Sequence, residues 1–142
     1  MITRPGIDPP LHPLHAILLG FPIAFFTGAL ASDITFLNTA EIQWTNFAQW
    51  LITAALLFGA PVVLFAIIRL LRARNTGRSG RASVYLILLT LMWVVGLINA
   101  FRHSADGWNS VGTAGLLLSV ISTVLALAAG WIGYSADKGR PT

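Results

Sequence analysis

The chain has 142 residues, of which 56% are hydrophobic and only 10% are charged, and its mean hydropathy is +0.75. A water-soluble domain of this length cannot bury so much apolar surface, so the composition indicates an integral membrane protein. The chain contains no cysteine, which excludes disulfides, thiolate-bound zinc, iron–sulfur clusters, c-type haem attachment and a cysteine nucleophile. The sequence pI is near 10.8, but the basic residues lie beside apolar segments, where they usually set membrane topology. We therefore expect no nucleic-acid partner.

Four charge-free segments follow one another along the chain, each 20 to 30 residues long. They are Pro9 to Ser32, Ile42 to Ile68, Ala82 to Phe101 and Gly107 to Ala136. An apolar helix of about 20 residues crosses the hydrocarbon core, and dry lipid forces the backbone to satisfy its own hydrogen bonds. The sequence therefore predicts an all-α fold, a single-domain four-helix bundle embedded in the lipid bilayer. The predicted spans are residues 14–36, 46–71, 83–103 and 109–134.

The first segment has some features of a cleavable signal peptide. Small residues at Ala29 and Ala31 precede Ser32 in the manner of a cleavage site. Pro22 in the middle of the segment and Asp8 before it are atypical of such a peptide. We therefore interpret this segment as the first span.

Positive charges are divided unequally between the two sides of the predicted bundle. With four spans, the N-terminus, the central loop and the C-terminus lie on the same side of the membrane. That side holds eight of the nine Lys and Arg residues, and the exception is Arg102. Lys and Arg in short loops are retained in the cytoplasm. We therefore expect cytoplasmic N- and C-termini, with outward loops at about Asp33 to Thr45 and Arg102 to Asn109.

Helical spacing creates one predicted buried stripe on the first helix and another on the fourth. The first stripe consists of His15, Leu19, Pro22, Phe26, Ala29 and Asp33. The second consists of Gly115, Ser119, Ser122, Ala126, Gly130 and Gly133. Small residues let a neighbouring helix approach closely, so the second stripe is interpreted as a packing surface.

The third helix carries two polar residues on one face. This face consists, at helical spacing, of Met92, Gly96, Asn99 and His103. Polar side chains at such a depth usually face the bundle interior and find partners, so Asn99 and His103 are candidates for a functional site. Asp33, Asp106 and Trp108 are expected at the same end. The alternative is that Asn99 only joins helices and His103 only ends the span at the headgroups.

Two further histidines, His12 and His15, lie three residues apart at the start of the first span. Histidines at this spacing share a helical face and can bind a metal ion. A closed zinc site needs four ligands, and the only nearby carboxylates are Asp8 and Asp137, so we expect no metal site. Instead, we expect His15 to bond a neighbouring helix and His12 to lie at the headgroup boundary.

Several short motifs resemble a known family. They are Leu11-His12-Pro13-Leu14-His15, Gly20-Phe21-Pro22-Ile23-Ala24, Ala31-Ser32-Asp33, and the segment from Asn99 to Trp108. Together they are similar to the small bacterial four-span membrane family called domain of unknown function 2231, nearly end to end. The resemblance implies a multi-pass protein of the bacterial inner membrane. It also implies redox partners, because members occur beside or fused to Rieske domains, c-type cytochromes and pyrroloquinoline-quinone sugar dehydrogenases.

The leading hypothesis joins this implication to the polar residues. The protein would anchor a periplasmic dehydrogenase or cytochrome and pass its electrons to ubiquinone. His103 would be the catalytic proton-transfer group and Asp106 would orient it. The candidate cofactor-binding residues are Asn99, His103, Trp108, Asp33 and His15.

Two alternatives remain open. One is a cofactor-free anchor or assembly protein whose polar residues only fix helix packing and partner docking. The other is a b-type haem protein, but His103 lies about 30 Å from His12 and His15 across the bilayer, so only single-histidine ligation or a dimer would allow it. A transporter or channel is less favoured, because the central turns of the four helices carry no ionisable side chain.

The charge asymmetry predicts the result of cysteine labelling. Asn38→Cys and Ser79→Cys each introduce a unique thiol into a cysteine-free chain. On intact cells, a membrane-impermeant maleimide is expected to label the cysteine at position 38 and to spare the one at position 79. The opposite labelling pattern would show that both termini lie outside the cytoplasm and would contradict the predicted topology.

Overall fold

Four helices account for nearly all of the chain that the structure describes. A computed structural model describes residues 10–75, 77, 79–105 and 111–135. These residues form no strand, and the helices are α1 (Pro13–Thr39), α2 (Ile42–Arg74), α3 (Ser79–His103) and α4 (Thr113–Tyr134). All four are long and apolar enough to cross a membrane. The all-α, four-span prediction is confirmed.

The first connection is much shorter than predicted. α1 begins at Pro13, and the Nδ1 atom of His12 accepts a hydrogen bond from the backbone N–H of Leu14 at 3.3 Å. α1 ends before Ala40, which has a left-handed φ of 56° and donates its N–H to the carbonyl of Phe36. Only Ala40 and Glu41 separate α1 from α2.

The predicted outward loop from Asp33 to Thr45 is therefore wrong in extent. The polar residues that suggested a loop are accommodated on the helix. Side chains of Thr35, Asn38 and Thr39 each donate to the carbonyl four residues earlier. Asp33 consequently lies inside α1 and points into the bundle, where it is fully buried.

The central connection is also shorter than the gap between the predicted spans. α2 continues to Arg74, α3 begins at Ser79, and Gly77 between them has a φ of +72°. Arginine is a good helix former, and its long side chain reaches water from the headgroup region, so a helix need not stop where its charges begin. α4 begins at Thr113, four residues after the predicted start.

The helices form a ring in which α1 packs against α2 and α4, and α3 packs against the same two helices. Polar contacts show which ends of α1, α3 and α4 lie together. The end of α1, the end of α3 and the start of α4 meet at what we call the carboxylate end. The start of α1, the start of α3 and the end of α4 meet at the arginine end.

The buried stripes predicted from helical spacing are confirmed. All six residues of the α1 stripe, all six of the α4 stripe and all four of the α3 set are buried. The middle of the bundle is apolar, with Leu19, Phe26, Ile52, Leu89 and Met92 in its core. Large apolar side chains cover the outside, in accordance with contact to lipid.

Two glycines allow the helices to approach closely. A Cβ atom added to Gly130 of α4 would lie 2.6 Å from Cδ1 of Ile23 on α1. A Cβ atom added to Gly96 of α3 would lie 2.5 Å from Cζ of Phe26. Larger residues at either position would therefore separate helices or displace a core side chain.

This packing predicts that Gly130→Leu lowers the free energy of unfolding by about 1–3 kcal/mol, the usual scale of overpacking. Thermal unfolding in detergent measures the effect. Ala24→Leu on the exposed face of α1 is the matched control, because its larger side chain extends outward. Equal stability of the two variants would contradict the close α1–α4 contact.

Candidate functional site

Four buried polar residues meet at the carboxylate end. They come from three helices, and their exposed fractions are 0% for Asp33, 0% for Asn99, 3% for His103 and 1% for Ser119. We call them the carboxylate cluster. Nothing in lipid can replace their hydrogen bonds, so each must find a partner within the protein.

Hydrogen bonds link the cluster across α1, α3 and α4. The Nε2 atom of His103 lies 2.8 Å from Oδ1 of Asp33. The hydroxyl of Ser119 donates to Oδ2 of Asp33 at 2.5 Å. The Nδ2 group of Asn99 donates to the same serine oxygen at 2.9 Å. Both carboxylate oxygens are therefore occupied, each by a different helix.

Local helical geometry positions the histidine ring. His103 lies one turn after Asn99, and its Nδ1 atom is 3.0 Å from the backbone carbonyl oxygen of Asn99. A second contact, from Thr123, joins α4 to α1, with its Oγ1 atom 3.0 Å from the carbonyl oxygen of Phe26. These contacts fix the ring and the register of the helices around it.

The geometry determines how many protons the Asp33–His103 pair holds. A backbone carbonyl only accepts hydrogen bonds, so Nδ1 of His103 carries a proton. The opposite atom, Nε2, faces a carboxylate oxygen, and one further proton lies between them. That proton belongs either to an imidazolium facing a carboxylate or to a carboxylic acid facing a neutral imidazole. In both arrangements the pair is neutral overall and holds one transferable proton.

Two buried atoms near this level of the bundle have no hydrogen-bond partner. They are Oδ1 of Asn99 and Oγ of Ser122. Ser122 lies one turn along α4 from Ser119. A buried acceptor without a partner is costly, so Asn99 Oδ1 is a place where an additional donor would be favourable.

The sequence candidates divide into three groups. Asp33, Asn99 and His103 are brought together, as expected. Asp106 and Trp108 lie outside the described residues. His15 is not part of the cluster, because it lies near the start of α1 at the arginine end.

At the arginine end, the Nε2 atom of His15 is 2.9 Å from the hydroxyl of Tyr85 on α3. The imidazole also stacks on Phe65 of α2, with ring centroids 5.5 Å apart. The expectation that His15 bonds a neighbouring helix is confirmed. Within the described part of the chain, no three His, Cys, Asp or Glu side chains are grouped as metal ligands would be.

Sequence reasoning missed the roles of Ser119 and Tyr85. Helical spacing assigns Ser119 to a stripe of small residues, which predicts only a packing role for it. The role of Ser119 could have been inferred from chemistry, because a buried carboxylate needs hydrogen-bond donors and a serine hydroxyl on a buried helix face can supply one. Tyr85 lies one turn before Leu89 on the buried face of α3, so helical spacing could have found it.

Comparison with known proteins assigns the family. Residues 11–138 match the family described as "Predicted membrane protein (DUF2231)", and the chain belongs to it. The resemblance inferred from the motifs is thereby confirmed, and the chain is a multi-pass membrane protein. No curated protein and no solved structure matches the chain.

The two buried serines of α4 provide a matched test of the cluster. Ser119→Ala leaves an oxygen of Asp33 and the amide of Asn99 without a partner, so the free energy of unfolding is expected to fall by about 1–3 kcal/mol. Ser122→Ala removes an unpartnered hydroxyl and is expected to leave stability unchanged or to raise it. Thermal unfolding of both variants in detergent measures the difference. A larger loss for Ser122→Ala would contradict the hydrogen bonds described above.

Proposed function

We propose that this member of the DUF2231 family is the membrane subunit of a redox assembly. In this proposal it anchors a periplasmic dehydrogenase or cytochrome, and its Asp33–His103 pair holds the proton that accompanies electron transfer to ubiquinone. The observation that carries the proposal is the 2.8 Å contact between Asp33 Oδ1 and His103 Nε2, which requires a proton between the two atoms. The partner class follows from the family resemblance.

A proton function is favoured by the chemistry of the pair. Ionisable side chains inside membrane proteins are rare and usually mark proton or substrate sites. For helix packing alone, a buried ion pair offers little, because well-packed apolar residues are often equally stabilising. A histidine ring can also accept a proton at one nitrogen and donate one from the other, which suits it to proton transfer.

The position of the pair suits exchange with one side of the membrane. His103 is the last residue of α3, and the next residue, Ser104, is exposed. Toward the other end, the pair is followed by the apolar core of the bundle, including Phe26 and Met92. A proton therefore has a short route to the carboxylate end and no polar route through the middle of the described bundle.

The fit of a quinone headgroup depends on which polar atoms of the cluster are available. The N–H and O–H groups of His103 and Ser119 face protein acceptors. The unpartnered atom of the cluster is Oδ1 of Asn99, an acceptor that suits the hydroxyl of the reduced, quinol form. Because Asn99 is fully buried, a headgroup would reach this atom only after neighbouring side chains had moved aside. Bound ubiquinone would supply the acceptor for electrons and protons. Asn99 would hold its headgroup, and Asp33 with His103 would hold the proton.

A second candidate function is a cofactor-free anchor. It is favoured by the saturation of the Asp33–His103 pair, in which both ring nitrogens and both carboxylate oxygens already have protein partners. Such a cluster fixes three helices in register without any ligand. The haem alternative has less support, because an axial ligand needs a free ring nitrogen and both nitrogens of His103 are engaged.

The proposal predicts that His103→Gln slows quinone reduction by about 100-fold, the scale of losing an acid–base group. Glutamine retains the capacity to bond Asp33 but does not titrate. The measurement is reduction of added short-chain ubiquinone by the sugar substrate of the partner dehydrogenase, in membranes prepared from the source cells. His12→Ala is the matched control, because His12 is exposed at the other end, and it is expected to retain the wild-type rate.

Deletion of the chain completes the experiment. If deletion abolishes quinone reduction but His103→Gln, present in equal amount, supports the wild-type rate, the protein is an anchor only. If deletion leaves the rate unchanged, the redox proposal fails altogether.

A further inference from the structure

The hydrogen bonds of the carboxylate cluster form a closed loop that begins and ends at Asn99. The amide group of Asn99 donates to the oxygen of Ser119 at 2.9 Å, and the hydroxyl of Ser119 donates to Oδ2 of Asp33. On the other side of the loop, Oδ1 of Asp33 faces Nε2 of His103. Nδ1 of His103 then faces the backbone carbonyl of Asn99. The proton whose position this loop must determine is the one between Asp33 and His103.

The hydroxyl of Ser119 is directed at the carboxylate rather than at its own helix. Other hydroxyls of this bundle donate to the carbonyl four residues earlier in the same helix, namely those of Thr27, Ser32, Thr35 and Thr53. Such bonds satisfy the hydroxyl locally and leave other helices untouched. The Ser119 hydroxyl instead crosses from α4 to Asp33 on α1. Its orientation therefore serves the carboxylate.

Both hydrogen bonds that flank the shared proton are stronger when the pair is charged. Asp33 accepts more strongly from the Ser119 hydroxyl as a carboxylate than as a carboxylic acid. His103 donates more strongly to the backbone carbonyl of Asn99 as an imidazolium than as a neutral ring. The amide of Asn99 also polarises the Ser119 hydroxyl, since the members of a hydrogen-bond chain strengthen one another. These bonds together favour the proton on Nε2 of His103.

Burial acts in the opposite direction. Asp33 and His103 are both buried, and removing two charges from water is costly even when they face each other. Within the described part of the chain, the other charged side chains at this end are Glu41 and Arg102, and both are exposed, so water and salt screen them. The position of the proton therefore depends on the hydrogen bonds that flank it.

We propose that Ser119 is a positioning residue that holds the shared proton on His103 in the resting protein. Asp33 is then a carboxylate, and His103 is an imidazolium with a proton on each ring nitrogen. Without the serine hydroxyl, the proton moves to Asp33: the bond from hydrogen to Nε2 breaks, a bond from hydrogen to Oδ1 forms, and a neutral imidazole faces a carboxylic acid. The meaning of this position for electron transfer rests on the proposed function, whereas the position itself does not.

Nitrogen-15 NMR of the full-length protein in detergent, at neutral pH, tests the proposal. In the wild type, both ring nitrogens of His103 are expected to resonate as protonated nitrogens, and His103→Gln identifies these resonances by removing them. In Ser119→Ala, the Nε2 resonance is expected to shift toward that of an unprotonated nitrogen. The ratio of imidazolium to neutral ring is expected to fall by roughly fivefold or more, the scale of one hydrogen bond to a charged group.

Infrared spectroscopy follows the same proton on the other partner. A band from a protonated carboxyl group is expected to gain intensity in Ser119→Ala, and adding Asp33→Asn is expected to remove it. Ser122→Ala is the matched control, because Ser122 is buried one turn along the same helix and its hydroxyl has no partner. It is expected to give the wild-type spectra.

A second variant keeps the size of the side chain. Ser119→Cys replaces the hydroxyl by a weaker donor of similar shape, so it is expected to shift the Nε2 resonance in the same direction as Ser119→Ala while preserving the packing. An unprotonated Nε2 in the wild type would overturn the proposal. Wild-type resonances in both Ser119 variants would overturn it as well, because Ser119 would then have only a structural role.

These spectra are separable from the test of the proposed function. They are recorded on the purified chain without quinone or a redox partner, so a failure of the redox assay does not alter them. A protonated Nε2 that Ser119 controls, together with quinone reduction that survives deletion of the chain, would uphold the position of the proton and reject the redox assembly. The reverse result would reject the role of Ser119 alone.

Discussion

An ionisable carboxylate inside a membrane-spanning bundle needs hydrogen-bond donors from the protein, because lipid supplies none. Asp33 is fully buried within α1, and its two oxygens take their partners from α3 and α4. This requirement fixes the axial register of three helices, since a slide of one helical turn, about 5.4 Å, would separate the groups. α2 joins the other helices by apolar packing and by the indole N–H of Trp93, which donates to the carbonyl of Leu56 at 3.1 Å.

The distribution of polar groups separates the two ends of the molecule chemically. Asp33 and His103 occupy one end, while His15 and Tyr85 pair at the other. The core between them is apolar and closely packed. Apolar side chains such as Phe26 and Met92 therefore separate the polar groups of the two ends.

The same groups serve structure and proposed chemistry. Register alone does not require ionisable residues, because hydroxyl and amide groups also join membrane helices. The pairing of a carboxylate with an imidazole adds a proton that can move between them. Small residues of α4 line its contact with α1: Gly130 allows a close approach to Ile23, and Ser119 bonds Asp33 directly.

The sequence by itself determined the number of helices, their type and the faces that they bury. Apolar length and helical spacing depend only on local geometry, so the stripes containing Leu19 on α1, Gly96 on α3 and Ala126 on α4 could be read directly. The helix ends were less accurate, because Thr35 and Asn38 bond their own helix and because Arg72 and Arg74 are compatible with a helix beyond the hydrocarbon.

Only the tertiary structure decided which polar residues meet. Asp33 and Ser119 are 86 residues apart, and no local pattern states that a serine in a packing stripe donates to that carboxylate. His103 likewise bonds Asp33, which is 70 residues away on another helix, while its other predicted neighbour, Asp106, lies outside the described residues. The physical reason is that hydrogen-bond partners are selected by the relative rotation and axial position of whole helices, which depend on the packing of all four together.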